Sequence, residues 1–229
     1  MVEYATLAPD ILSVADMVPE PQIVTELRTV AAEVCRDTEV WKDTAEVTSV
    51  EGQLDYALPK VGPRNERGVL IDPMTAGVPH RLQQASFDQA ALRLATQLQI
   101  ARWKPDWRNT GEQFRGTPLY AIQGITAQTV SLYYTPDAAA ANKTARFTVT
   151  LVPLTGSVGL PEDVMGEVRD VLVLGCLQRL MAMPRRPWSN RASSEYYARQ
   201  YRFKRNAVRV RASHDFTHGP LVAELRPWV

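Results

Sequence analysis

The residues that most resemble a chemical site form the segment His214-Asp215-Phe216-Thr217-His218. Two histidines four positions apart share one helix face and, with Asp215, could bind zinc or another divalent ion in a metal-dependent hydrolase. Gly219 and Pro220 follow directly, however, and this pair is typical of a loop. Because no cysteine ligand lies nearby, we expect two solvated histidines, with no metal and no cofactor.

Carboxylates offer a second possibility, acid–base catalysis. Glu162 and Asp163 lie in the first turn of a predicted helix, where the macrodipole favours negative charge. Glu224 lies on the polar face of a short predicted strand. The sequence contains no phosphate-cradling glycine motif, CxxC pair, GxSxG elbow or HExxH helix. We therefore predict that the protein is not an enzyme.

The strongest charge pattern is a basic segment between Arg185 and Arg211. It contains nine basic residues against Glu195 alone, a net charge of +8, and the chain's total of +1 leaves −7 for the other residues. The near-neutral total therefore conceals a polarised molecule. Six residues are candidates for a subunit interface or for a channel-facing surface: Arg185, Arg186, Arg199, Arg202, Arg205 and Arg209.

Three interpretations of this segment remain open. The cations could simply be solvated, with their aliphatic stems covering apolar surface. They could contact phosphates, helped by Tyr197 and Tyr201, in a sequence-tolerant nucleic-acid-binding protein that uses the helix 190–211. They could instead face an acidic protein surface. The acidic remainder of the chain favours pairing between subunits.

Composition indicates a globular protein. The chain has 229 residues, of which 45% are hydrophobic, enough to bury a core. No run of eighteen apolar residues occurs, and the start Met1-Val2-Glu3-Tyr4 lacks the regions of a signal peptide, so we expect no membrane contact and assembly in a cytoplasm. Cys35 and Cys176 lie in helical patterns and should be buried free thiols.

Hydrophobic periodicity predicts the elements. The last helix should pack through Ala192, Tyr196, Phe203, Ala207 and Val210 and leave a basic face outward. Short apolar runs predict a helical piece at 10–18, two strands around the turn Glu51-Gly52-Gln53, a strand at 68–72, and an antiparallel meander. The predicted meander strands are 119–125, 129–134 and 146–153, and the bundle helices are Pro21–Asp37, Ala90–Trp103, Pro161–Met183 and Asn190–Arg211.

The predicted fold class is α+β: a bundle of about four helices with an inserted antiparallel β module and an extended C-terminal arm. Divided along the chain, 1–45 begins the bundle, 46–84 begins the β-rich insertion, 85–108 is a bundle helix and 109–156 is the β meander. A helical hairpin at 157–211 and a docking arm at 212–229 complete it. The arm carries an apolar strand and a tryptophan that call for a partner, and its candidate docking residues are Leu221, Val222, Leu225, Arg226 and Trp228.

Several phrases of this sequence resemble one family. They are Glu33 to Trp41, the strand pair around Gly52 with Tyr56 to Pro59, Gly116 to Tyr120, and Leu180 to Asn190 with the Tyr/Phe/Arg helix after it. In this order they resemble head-to-tail adaptor, or neck connector, proteins of tailed bacteriophages, of the podophage tail tubular A type and the related siphophage adaptors. The resemblance covers about residues 10–229, and it is weakest over 64–84.

The resemblance implies a structural virion protein of the neck, assembled in the host cytoplasm. Such proteins form a homo-oligomeric ring, of twelve copies, between the portal protein and a downstream neck or tail protein. The ring continues the channel through which DNA passes, with transient, non-specific contact to the genome. In this picture the arm 212–229 docks on the portal, with Trp228 as its anchor.

Overall fold

The computed structural model describes residues 1–60, 77–124, 126 and 128–214. The chain divides into a strand-rich unit, Met1–Glu3 with Trp41–Pro161, and a helical unit, Tyr4–Val40 with the segment that begins at Glu162. The described residues contain five α-helices and mainly antiparallel sheets, which confirms the α+β class. The helices are α1 (Ala8–Leu12), α2 (Glu20–Thr38), α3 (Gln97–Trp103), α4 (Glu162–Ala182) and α5 (Arg191–Ser213).

Local signals explain where the long helices begin and end. Helix α2 carries a proline in its first turn and ends at Thr38, which is followed by Glu39 with a left-handed φ of 55°. Helix α4 begins with Glu162 and Asp163 in its first turn, as predicted. Helix α5 is capped by Asn190, whose side chain accepts a hydrogen bond from the Ser193 amide at 3.0 Å. All three helices lie within two residues of their predicted bounds.

Helix α4 forms the centre of the helical unit. Helices α2 and α5 both pack against it, and its buried residues are distributed around most of its circumference, as predicted. At Gly175 a Cβ would lie 2.6 Å from Val30 Cγ1 and 2.9 Å from Tyr201 Cε2. The predicted small-residue patch therefore accommodates side chains from both neighbouring helices.

The strand-rich unit contains two four-stranded sheets and one short pair. Its strands are β1 (Val2–Glu3), β2 (Lys42–Thr48), β3 (Asp55–Ala57), β4 (Gly77–Phe87), β5 (Ala90–Ala91), β6 (Arg93–Ala95), β7 (Tyr120–Gln123), β8 (Thr129–Tyr133), β9 (Thr144–Pro153) and β10 (Gly159–Leu160). The sheet orders are β2-β9-β4-β5 and β3-β8-β7-β6, and β1 pairs with β10. The pair β6–β7 is parallel.

Sequence patterns located β3, β7, β8 and β9 but missed β4, the longest strand, and most of the predicted pairings are wrong. Strands β2 and β3 flank the predicted turn, where Gly52 has φ 69°, but β2 pairs with β9 whereas β3 pairs with β8. The predicted three-stranded meander is also wrong, because only β7 and β8 pair with each other. Strand β9 lies in the other sheet, between β2 and β4. The predicted strand at 68–72 lies outside the described residues.

The helix predicted at Ala90–Trp103 is wrong over its first half. Residues 90–91 and 93–95 are strands, and α3 begins only at Gln97 after a capping box made by Thr96 and Gln99. Helix α3 also lies in the strand-rich unit, so it is not a bundle helix. The early helix, α1, ends at Leu12 although the prediction extended to residue 18.

Within the described ranges, no helix is both long and apolar enough to cross a membrane.

Candidate assembly surface

Helix α5 packs through a face that the sequence analysis did not identify. Its buried residues are Ser194, Tyr201, Val208 and Ala212. The predicted packing positions are all exposed instead, and the three large ones are 51% (Tyr196), 71% (Phe203) and 58% (Val210) accessible. Large aromatic side chains at helical spacing usually indicate a core, but here the polar Ser194 and Tyr201 find partners inside the unit.

Tyr196, Phe203 and Val210 follow one another at seven-residue intervals along α5. Seven residues bring an α-helix back to within about 20° of the same direction, so the three side chains form one line. At about 100° per residue this line lies about 180° from the buried face. We call Tyr196, Phe203 and Val210 the α5 stripe.

Arg205 differs from the other candidate arginines because it makes ion pairs inside the chain. Its guanidinium lies 2.9 Å from Asp37 Oδ2 and 3.5 Å from Glu33 Oε1, both on α2, and 5.3 Å from the ring centroid of Tyr201. These contacts tie α5 to α2. We therefore omit Arg205 from the surface that could meet a partner.

Glu33 is the common acceptor where the three long helices meet. Its carboxylate accepts hydrogen bonds from Arg179 on α4, at 2.6 Å, and from the Tyr201 hydroxyl on α5, at 3.0 Å. Burial and the adjacent Glu33 carboxylate raise the pKa of Tyr201 well above its usual value. The hydroxyl therefore remains a donor over the whole physiological range.

Among the remaining cations of α5, Arg191 pairs with Glu195 on the same helix at 3.2 Å. Lys204 pairs with Asp170 at 3.1 Å and Arg211 pairs with Glu167 at 3.0 Å, so both contact α4. Arg199, Arg202 and Arg209 are exposed and make no ion pair with any residue in the described part of the chain. Arg199 lies along the α5 stripe, and Arg202 and Arg209 are each turned about 100° from the stripe residue that follows them, so positive charge flanks exposed apolar surface.

The turn between α4 and α5 adds cations and an aromatic ring. Arg185 and Arg186 are exposed, and the Arg186 guanidinium lies 5.7 Å from the ring centroid of Trp188. Arg185 adopts a left-handed φ of 59°. Both arginines are thus accessible at one end of the two helices.

A second exposed patch of the helical unit was missed by the sequence analysis. Helix α1 ends early, and the connection to α2 leaves Val14 47% and Met17 64% exposed beside the exposed carboxylates Asp16 and Glu20. We call these four residues the α1–α2 patch. The sequence contained a sign of this exposed patch, because Val14 and Met17 lie close to Asp16 and Glu20 and shortly before Pro19.

The strand-rich unit has an exposed apolar group of its own. Leu98 is 63%, Trp103 59% and Leu119 52% exposed, and the Trp103 ring lies 6.5 Å from that of Tyr120 between centroids. Helix α3 supplies two of these side chains. This group shows that exposed apolar surface is not confined to the helical unit.

The structure brings together no site from the candidate metal-binding, acid–base and docking-arm residues that it describes. Asp215 and His218 lie outside the described residues, as do Glu224 and the predicted docking residues Leu221, Val222, Leu225, Arg226 and Trp228. Among the residues that are described, no three His, Cys, Asp or Glu side chains come together as a metal site. Glu162 and Asp163 are exposed in the first turn of α4, the structural position predicted for them.

Comparison with known proteins identifies the family. The chain matches no curated protein sequence. The family model described as SU10 adaptor protein matches residues 3–223, nearly the whole chain and both of its units. A match of this extent establishes the family and confirms the resemblance to neck connector proteins. The chain therefore belongs to the SU10 adaptor protein family, the structural head-to-tail adaptors of bacteriophage virions.

Proposed function

We propose that this adaptor assembles into a homo-oligomeric ring of twelve copies in the virion neck. The ring joins the portal protein to a downstream neck or tail protein and continues the channel through which the genome passes. Its role is structural, without catalysis or a cofactor. The family assignment supports the adaptor role, and the sequence resemblance implies the ring and its copy number.

The observation that carries this proposal is the outer surface of α5. Arg199, Arg202 and Arg209 remain without ion pairs among the described residues, and the α5 stripe beside them is exposed. A folded subunit gains little from three large apolar side chains in water, because burying each contributes about 1.5–3 kcal/mol. Apolar surface ringed by charge is typical of a protein–protein interface.

The arm at 212–229 is proposed to dock on the portal protein. The apolar residues Leu221, Val222 and Leu225 are typical of a short strand that adds to a sheet edge, and Arg226 and Trp228 supply a charged and an aromatic anchor. The support for this assignment is the sequence pattern together with the family.

Light scattering with the portal protein of the same phage tests the ring. We expect the chain, alone or with portal, to form a species of twelve subunits, and we expect a variant ending at residue 211 to lose portal binding. Adding back the arm should restore binding. A chain that remains monomeric with and without portal would contradict the proposal.

Transient contact with DNA is proposed for the turn between α4 and α5. Arg185 and Arg186 are exposed next to Trp188, which combines phosphate-binding charge with a ring that can stack. If this contact exists, affinity for duplex DNA falls as salt rises, because phosphate neutralisation releases counterions. Filter binding of the natural chain and of the Arg185→Ala/Arg186→Ala variant, each at two salt concentrations, checks this contact. We expect weaker binding by the variant, and DNA binding by the natural chain that does not change with salt would exclude the contact.

A further inference from the structure

The helical unit presents two exposed surfaces of opposite character. The α5 stripe lies in a segment, residues 196–214, that contains six Arg or Lys and no Asp or Glu. The α1–α2 patch lies in an acidic segment, because residues 1–27 contain Asp and Glu but no Lys, Arg or His. Each surface therefore offers apolar side chains framed largely by one sign of charge, and Glu195, next to Tyr196, is paired with Arg191 at 3.2 Å.

Charge repulsion disfavours a contact between the α5 stripes of two subunits. A two-fold contact would place Arg199, Arg202 and Arg209 of one subunit against the same residues of its partner. Like charges brought together at an interface cost several kcal/mol. Two copies of the α1–α2 patch would bring Asp16 and Glu20 together in the same way. Charge therefore disfavours a symmetric pair and favours stripe against patch.

The two surfaces lie on different flanks of one subunit. Helix α1 contacts α4 through Asp10, which pairs with Arg169 at 2.8 Å. Helix α5 contacts α4 through Asp170 and Glu167. These two positions are turned about 100° and 160° from Arg169 around the α4 axis. A subunit can therefore present its stripe to one neighbour while it presents its patch to another.

We propose that the α5 stripe of each subunit docks on the α1–α2 patch of the next subunit. Phe203 and Tyr196 pack on Met17 and Val14, while the unpaired arginines of α5 meet Asp16 and Glu20. Such a contact joins unlike surfaces, so it propagates head to tail and closes when the rotation between subunits permits a ring. The inference rests on the proposed ring and adds the surfaces that build it.

Disulfide trapping between variants that each carry one added cysteine tests this contact. Full-length Phe203→Cys and Met17→Cys proteins are mixed and oxidised at high concentration, alone and with portal protein, and the products are separated without reductant. We expect a heterodimer at least about tenfold above the level from random collision, because docking raises the effective concentration of the two thiols. The native Cys35 and Cys176 are buried and should not react.

Two controls make the outcomes decisive. Thr44→Cys, an exposed residue of the strand-rich unit, replaces Met17→Cys to measure random collision. Phe203→Cys alone detects a symmetric contact, and a strong homodimer from it overturns the inference. If light scattering shows the oligomer but the heterodimer of the Met17→Cys and Phe203→Cys proteins does not exceed the collision control, the inference fails and the ring remains. A monomer in both conditions removes the ring itself.

Discussion

At the scale of single residues, Glu33 explains why one predicted interface arginine is not available to a partner. Its carboxylate binds Arg179 and the hydroxyl of Tyr201, and Arg205 lies 3.5 Å away. Hydrogen bonds to a charged group contribute more than neutral ones. This small network joins α2, α4 and α5 and accounts for Tyr201 on the packed face of α5, whereas Ser194 donates to the Gln178 carbonyl on α4.

Replacing Tyr201 with Phe should destabilise the fold. The change leaves Glu33 without one donor, and we expect the free energy of unfolding to fall by about 1–2 kcal/mol, since the carboxylate is partly solvated. Urea denaturation followed by circular dichroism measures the change. The matched control is Tyr196→Phe on the exposed stripe, which should alter stability by less than about 0.5 kcal/mol. Equal losses in the two variants would contradict the assignment.

The same tyrosine predicts a loss of stability at alkaline pH. Its pKa is higher in the folded than in the unfolded chain, so its contribution is complete below the ordinary value of about 10 and is lost as pH rises above it. The Tyr201→Phe variant should therefore lose less stability than the natural sequence between neutral and alkaline pH. Parallel stability curves would indicate that other groups dominate.

The two cysteines should be inert in the native protein. Burial raises the pKa of both Cys35 and Cys176 to about 12, and the thiolate is the reactive form. We expect no reaction with a chromogenic disulfide reagent at pH 8, and two thiols per chain after unfolding in urea. Rapid reaction of either thiol in the folded chain would show that the helical core opens readily.

At the scale of elements, sequence patterns predicted the long helices and missed the orientation of one of them. The ends of α2, α4 and α5 followed from a proline, an acidic first turn and an asparagine cap, which act locally. Which face of α5 is buried depends on Gly175 and Glu33, which belong to other helices. The exposed stripe was therefore mistaken for the core face, and its role as a surface emerged only from the structure.

The strands show the same division between local and distant causes. Alternation located β7, β8 and β9, but their pairing depends on partners far along the chain, such as β4 and β2 for β9. Leu94 and Leu98 have helical spacing, yet residues 93–95 form β6, which pairs in parallel with β7. No pattern within residues 90–103 contains that information.

Two glycines of α4 provide a matched test of its packing. At Gly175 an added methyl group would meet Val30 and Tyr201 closer than 3.0 Å, so Gly175→Ala should destabilise by about 1–3 kcal/mol despite better helix propensity. Gly166 has no atom within 4 Å of such a methyl group, so Gly166→Ala should stabilise by about 0.5–1 kcal/mol. Thermal denaturation of both variants compares them, and a stabilising Gly175→Ala would refute the close packing.

At the scale of the whole molecule, charge is distributed between segments that are distant in sequence. Part of this polarity is neutralised within one subunit, through pairs such as Arg169–Asp10 and Arg205–Asp37. Exposed positive charge nevertheless remains on α5, and exposed negative charge remains on the α1–α2 patch. The sequence predicted the polarity, while the division between internal pairs and unpaired surface required the three-dimensional arrangement.

Reversing two charges on α5 should weaken self-association. For Arg202→Glu/Arg209→Glu we expect an association constant at least about tenfold lower, because attraction to an acidic neighbour becomes repulsion. Sedimentation velocity at low salt measures this. Arg93→Glu/Arg102→Glu changes net charge by the same amount on exposed arginines of the strand-rich unit and should have a smaller effect. Equal effects of both pairs would mean that net charge alone governs association.

The α5 stripe also has a consequence for the life of a subunit before it is incorporated. A newly made chain exposes Tyr196, Phe203 and Val210 to the crowded cell, where sticky surfaces on unassembled protein promote precipitation. Precipitation is reduced when the chain is made together with the proteins on which it docks. Overproduction of this chain by itself should therefore yield less soluble protein than co-production with its docking partners. Replacing Phe203 with a polar residue should restore the soluble yield.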